Sequence, residues 1–186
     1  DQQLFSPNFT DQEQRLRDDV FVAALKVHKA FIDGAAKPLG RNLDAMIRVL
    51  GGESLSPDQD RLLPDLWASL FLVVPVISTT FASVTGMLWG MDKDSFGWLL
   101  IDEAGQGTPQ AAAGAIYRAK RVVTVGDPLQ IPPVTSLPKP LLDSLATHHG
   151  VNPAQFTAPQ ASIQTLSNQA NTYGTTLKRD FEDVRI

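Results

Sequence analysis

Two short apolar runs, and the length of chain between them, constrain this sequence more than anything else in it. Trp98-Leu99-Leu100-Ile101 runs into Asp102-Glu103, and Arg121-Val122-Val123-Thr124-Val125 runs into Gly126-Asp127. Both are rich in branched residues, as strands are, and each closes on a polar cluster. The residues between them fit one crossover helix with its loops, predicted over Pro109–Arg118, and such a connection joins parallel strands rather than a hairpin. A third run, Phe71-Leu72-Val73-Val74-Pro75-Val76-Ile77, precedes a second helical stretch, Thr79–Trp89. Strand and helix in alternation predict an α/β fold whose three core strands lie near 71–77, 98–102 and 121–126. Pro75 cannot donate to a ladder, which counts against the first of these strands, although an edge place would tolerate it.

Residues 11–70 read differently. Leu16, Val20, Val27 and Phe31 recur at helical spacings, with Phe21, Leu25 and Ile32 widening the face expected to be buried. Thr10 or Asp11 can cap this helix and Gly34 can end it. A second helix is expected from about Arg41 to Leu50, stopped by Gly51 and Gly52, and a third from Pro57 behind a Ser56 cap. The chain therefore divides into a helical block, 1–70, and an α/β part, 71–186. In the latter, short helices are expected at Leu141–Leu145 and Ile163–Ala170, while the charged tail Lys178–Ile186 fits a helix, an edge strand or a frayed end.

Composition excludes several classes of function. With 43% apolar residues in 186, one ordinary core is available. There are no cysteines, which removes disulfides, thiolate zinc sites and cysteine nucleophiles. Of the three histidines, His148 and His149 precede Gly150 at a helix end, where solvent exposure accounts for them. Sixteen basic against 20 acidic residues give a net charge of −4, and no segment is a basic tail. Nucleic acid is thus not held by bulk positive charge, and any contact must use placed amides and hydroxyls or parts of a longer protein. The longest apolar run falls well short of a bilayer span and nothing reads as a signal peptide, so a cytoplasmic location without membrane contact is expected. An opening at Asp1 fits a piece cut from something larger.

The chemistry concentrates at the ends of the apolar runs. A strand that delivers Asp102 and Glu103 at its C-terminal end sets them where open α/β sheets bind ligands. One such carboxylate can hold a magnesium ion through water, and its neighbour can deprotonate a water for attack on phosphorus; the same pair also fits a solvated turn. Gly126 lets the backbone turn close to a bound group, and Gln130 offers an amide able to sense a terminal phosphate; a Pro-stiffened loop is the alternative. Ser78, Thr79 and Thr80 precede a helix start, where hydroxyls either meet phosphate oxygens or merely cap the helix.

Taken in order, these segments resemble the first motor domain of superfamily-1 nucleic-acid helicases, in the branch of the nonsense-mediated-decay RNA helicase and its bacterial relatives. Ser78-Thr79-Thr80 resembles motif Ic, Ile101-Asp102-Glu103-Ala104 motif II, and Gly126-Asp127-Pro128-Leu129-Gln130-Ile131-Pro132-Pro133-Val134 motif III. Phe21–Ile32 resembles a helix ahead of motif Ic in large bacterial members. The resemblance implies a partial RecA-like sheet with the motif II strand between the other two, and ATP and magnesium as cofactors of the intact protein. It implies that Asp102 binds magnesium, Glu103 activates the attacking water and Gln130 contacts the terminal phosphate. Gly126 and Asp127 would shape the coupling loop, and Ser78, Thr79 and Thr80 would touch single-stranded DNA or RNA.

No Gly-x-x-x-x-Gly-Lys-Ser/Thr occurs in the chain. Without that phosphate cradle, or the arginines of a second motor domain, positioning fails, so the chain alone is expected to be inactive and to need the remainder of the helicase as its partner. The outer edge of 121–126 would stay bare unless the tail, another copy or a helix covers it, which leaves self-association open. Two other functions fit the same motifs: a nucleotide-driven switch or translocase that does not unwind duplexes, and a non-enzymatic interaction module with relic motifs.

Overall fold

A computed structural model describes residues 10–127, 131–174, 176–178 and 183–185. It divides into two compact units, Asp1–Val76 and Ile77–Ile186.

The first unit is helical. Helix α1, Asp11–Gly34, begins at a capping box in which Thr10 Oγ1 accepts from Glu13 N–H and the Glu13 carboxylate accepts from Thr10 N–H. Helix α2, Ala36–Leu50, follows after the single residue Ala35. A short α3, Pro57–Asp60, leads into α4, Leu63–Phe71. The core forms between α2 and α4, where Leu39, Met46, Leu63, Leu66, Trp67 and Leu70 are buried. Asn42 Nδ2 donates to Ser69 Oγ across that interface (2.8 Å), and Ser69 Oγ donates back to Asp65 O (2.8 Å).

Two expectations fail in this unit. The apolar face of α1 is not buried: Leu16, Val20, Phe21, Leu25, Val27 and Phe31 are exposed, and Ile32 only half-buried. One connecting residue is shorter than helix hairpins use, so α2 cannot fold back along α1. Nor is 71–77 a strand. The spacing of Leu63, Leu66, Trp67 and Leu70 carries the helix through Phe71, whose ring stacks on Trp67 at 5.6 Å. Val73 and Val74 N–H then both donate to Leu70 O, and Pro75 has no N–H for a ladder. Residues 74–80 are irregular.

The second unit has the α/β architecture expected of a partial RecA-like fold, with a smaller sheet. Strands β1, Leu99–Ile101, and β2, Val122–Thr124, pair in parallel, with Leu99 opposite Val122 and Ile101 opposite Thr124. They are joined through α6, Pro109–Arg118, and α5, Phe81–Met87, packs beside α6. Helices α7, Lys139–His148, α8, Pro153–Phe156, and α9, Ile163–Ala170, follow. Ile101, Ala104, Ala112 and Ile163 form the core, with Leu99 and Ile116 against it. In the tail, β3, Thr176–Lys178, and β4, Asp183–Arg185, make a separate antiparallel pair, so neither extends the β1–β2 sheet.

Candidate functional site

The sheet's C-terminal edge is a junction of two turns. Ile101 is the last residue of β1, and after it Val125 N–H donates to Ile101 O (2.8 Å) while Ala104 N–H donates to Val125 O (2.9 Å). These bonds lay the segment after Asp102-Glu103 directly beside Gly126-Asp127. The approach is close enough to require glycine. A Cβ on Gly126 would stand 2.9 Å from Ala104 N and 3.0 Å from Gly105 N, and one on Gly105 would stand 3.0 Å from Asp127 O.

Asp102 and Glu103 are both exposed at this edge. Asp102 Oδ1 accepts Glu103 N–H at 3.0 Å, an arrangement that orients the carboxylate against its own turn. Glu103 has φ +53°, in the left-handed region that side chains other than glycine, asparagine and aspartate seldom adopt. Its Oε2 accepts from Gln106 Nε2 (3.1 Å). The turn thus presents two carboxylates to solvent with one oxygen of each engaged locally. Such a donor set fits magnesium, a hard cation usually held by one or two carboxylates together with water and substrate phosphates rather than by a protein cage. Among the described residues there is no group of three or more acidic, histidine or cysteine side chains that would make such a cage.

Helix α9 clamps the turn from behind. Ser162 caps it, with Oγ accepting Thr165 N–H at 3.1 Å. Ile163 N–H donates to Gly107 O (2.9 Å) and Gln164 N–H to Ala104 O (3.0 Å). Two N–H groups that a helix start leaves without intrahelical partners are therefore satisfied by the turn that follows the carboxylates. The Ile163 side chain crowds Gly107 so closely that a Cβ there would overlap it, and Phe81 at the start of α5 lies against the same glycine. Farther along, Thr124 Oγ1 donates to Ser167 Oγ at 2.9 Å.

Of the residues singled out by sequence, Asp102, Glu103, Gly126 and Asp127 come together at adjacent strand ends. Gln130 lies outside the described residues. Ser78, Thr79 and Thr80 are exposed on the irregular segment entering α5, with Thr80 at the N-cap and its Oγ1 donating to Ser83 Oγ (3.3 Å). A cleft of about 520 Å³ lies elsewhere in this unit, lined by residues including Val134, Leu142, Leu145, His149 and Phe156, and neither carboxylate faces it. Sequence reasoning missed Gln164, whose only signal was membership of a short predicted helix.

Comparison with known proteins gives a likeness over this part of the chain. Residues 65–136, which hold both strand ends, match the family described as an AAA domain. A stretch of 148 residues is 25% identical to the DNA replication ATP-dependent helicase/nuclease DNA2 of Saccharomyces cerevisiae, covering 69% of this chain and 10% of that protein. The chain thus spans about a tenth of the curated relative's length. No solved structure matches. The likeness is to helicase-like P-loop proteins, and it falls on the segment that carries the paired carboxylates and the Gly126 turn.

Proposed function

We propose that this chain is part of an ATP-hydrolysing helicase motor of superfamily 1, in the branch of the nonsense-mediated-decay helicase. The observation that carries the reading is the close approach of the Asp102-Glu103 and Gly126-Asp127 turns at the C-terminal edge of a parallel pair, where α/β sheets take ligands. The helicase likeness of the same segment supports it.

In this reading Glu103 accepts the proton of the water that attacks the terminal phosphorus of ATP, and Asp102 would hold magnesium through water. Magnesium, when bound, neutralises charge developing on the phosphate oxygens. Gln130 contacts the terminal phosphate, Gly126 and Asp127 shape the loop that reports its loss, and Ser78, Thr79 and Thr80 touch the backbone of single-stranded DNA or RNA. The phosphate-cradling loop and second motor domain come from the rest of a longer protein, so the chain by itself does not turn over ATP.

Glu103→Gln in the intact protein tests this. The variant retains one carbonyl-type oxygen but cannot take the proton, so strand-stimulated ATP hydrolysis falls by about 10²–10⁴-fold while ATP binding persists. Turnover near the wild-type rate would remove Glu103 from the role. An unwinding assay beside the hydrolysis assay separates a helicase from a translocase that leaves duplexes intact.

A further inference from the structure

Gln164 lies behind the carboxylate turn and is more than nine-tenths buried. Its backbone N–H is spent on Ala104 O, and its side-chain nitrogen donates to Asn168 Oδ1 at 3.2 Å. Among the described residues no donor reaches its amide oxygen. That oxygen lies 3.4 Å from the point where a Cβ on Gly126 would stand, a point also 3.0 Å from Gly105 N. Ala104 N–H is already engaged by Val125 O, whereas Gly105 N–H has no acceptor among the described residues. A buried unpaired acceptor is destabilising and calls for a physical explanation. Here an unpaired acceptor and an unpaired donor flank the same small gap, between the two turns that carry the proposed chemistry.

We infer that Gln164 is a positioning residue for hydrolysis at the strand ends: its amide oxygen takes up Gly105 N–H when a nucleoside triphosphate is seated, tying the carboxylate turn to α9. The inference rests on the proposed hydrolysis but assigns a residue that reading does not use. The role is indirect, since the hydrogen bond that Gln164 makes to the turn comes from its main chain. In the loaded state the new bond holds Glu103, two residues upstream of Gly105, in one orientation toward the attacking water. It also links the turn to the helix that Thr124 and Ser167 fasten to β2.

Gln164→Met in the intact protein keeps the length and apolar fit of the side chain and removes the acceptor together with the bond to Asn168. The expected result is a kcat for strand-stimulated ATP hydrolysis lowered about tenfold to a hundredfold, with KM for ATP within about twofold of wild type and no loss of thermal stability. A non-hydrolysable ATP analogue should also slow amide exchange at 104–107 in the wild type but not in the variant. An unchanged kcat in folded Q164M, or equal protection in both proteins, overturns the inference. Should Q164M fold poorly, Gln164→Leu, with turnover expressed per nucleotide-binding site, gives the same decision. Glu103→Gln measured alongside separates the two ideas. If E103Q abolishes turnover while Q164M does not lower it, only the role of Gln164 falls; if E103Q turns over normally, the hydrolytic reading itself falls.

Discussion

Glu103 holds a left-handed backbone that costs a residue of its type roughly 1–2 kcal/mol, and the surrounding bonds maintain it. Ala104 N–H is fixed to Val125 O, Ala104 O to Gln164 N–H and Gln106 N–H to Glu103 O, so the peptide on the C-terminal side of Glu103 has little freedom to relax. The left-handed turn takes Glu103 out of the alternation that a continuing strand would impose. Gly126 is the complementary residue, because only a missing side chain lets the second turn approach this one. Gly126→Ala places a methyl against two main-chain nitrogens that cannot swing aside. We expect a loss of about 1–3 kcal/mol in urea unfolding, and with it reduced ATP turnover in the intact protein.

At the scale of elements, a carboxylate in the middle of α7 is tied to Thr157, the residue that caps the C-terminal end of α8. Asp143 Oδ2 accepts from Lys139 Nζ (2.6 Å) and Oδ1 from Thr157 Oγ1 (2.9 Å). The Lys139 bond first, and the Thr157 hydroxyl second, hold the Asp143 carboxyl below the usual carboxylate range. A carboxyl lowered in the folded state contributes stability that is present above its unfolded value, about 3.9, and is lost as pH falls through the folded value. The acid limb of the thermal-stability profile should therefore be shallower in Asp143→Asn than in the wild type, with the two profiles differing most above that range. Equal acid limbs would remove Asp143 from this link. The element-level reading of the sequence succeeded where an element's own residues settle its form. Pro109–Arg118 and Ile163–Ala170 are helices over the bounds expected, and the strands fall within 98–102 and 121–126. It failed at 71–77, where an apolar run of strand-like composition was shared between the end of α4 and an irregular segment. Short apolar runs do not distinguish a buried helix turn from a strand, and the helix that began at Leu63 had already claimed Phe71.

Over the whole molecule, apolar residues remain uncovered in each unit among the described residues. In the first they form the face of α1; in the second Trp98, Leu100, Val123 and Val125 lie exposed on or beside the sheet, with Leu100 at 70%. Purely parallel strands are ordinarily covered on both faces, so among the described residues of the second unit this sheet is short of neighbours. Among the described residues no helix is long and apolar enough to cross a membrane. The isolated chain should bind a hydrophobic dye and associate at micromolar concentration. Leu100→Lys should lower both signals while leaving unfolding stability within about 0.5 kcal/mol, since it replaces a side chain that gains little from burial. Dye binding unchanged by that substitution would show that the sheet is not the responsible surface.

Which residues form the parallel pair, that one helix must cross between its strands, and that Asp102 and Glu103 stand at a strand's end are all legible along the chain. Those are consequences of local composition and of the chain length between two runs, and both are written along the chain. Folding in three dimensions set the rest: Gly126 meets Ala104 and Gly105 at main-chain distance, Glu103 turns left-handed, α1 leaves its apolar face exposed, and Gln164 has an amide oxygen that no donor among the described residues reaches. Each of these depends on which distant segment occupies a neighbouring volume. Such contacts arise from packing between elements, for which periodicity and propensity carry no term.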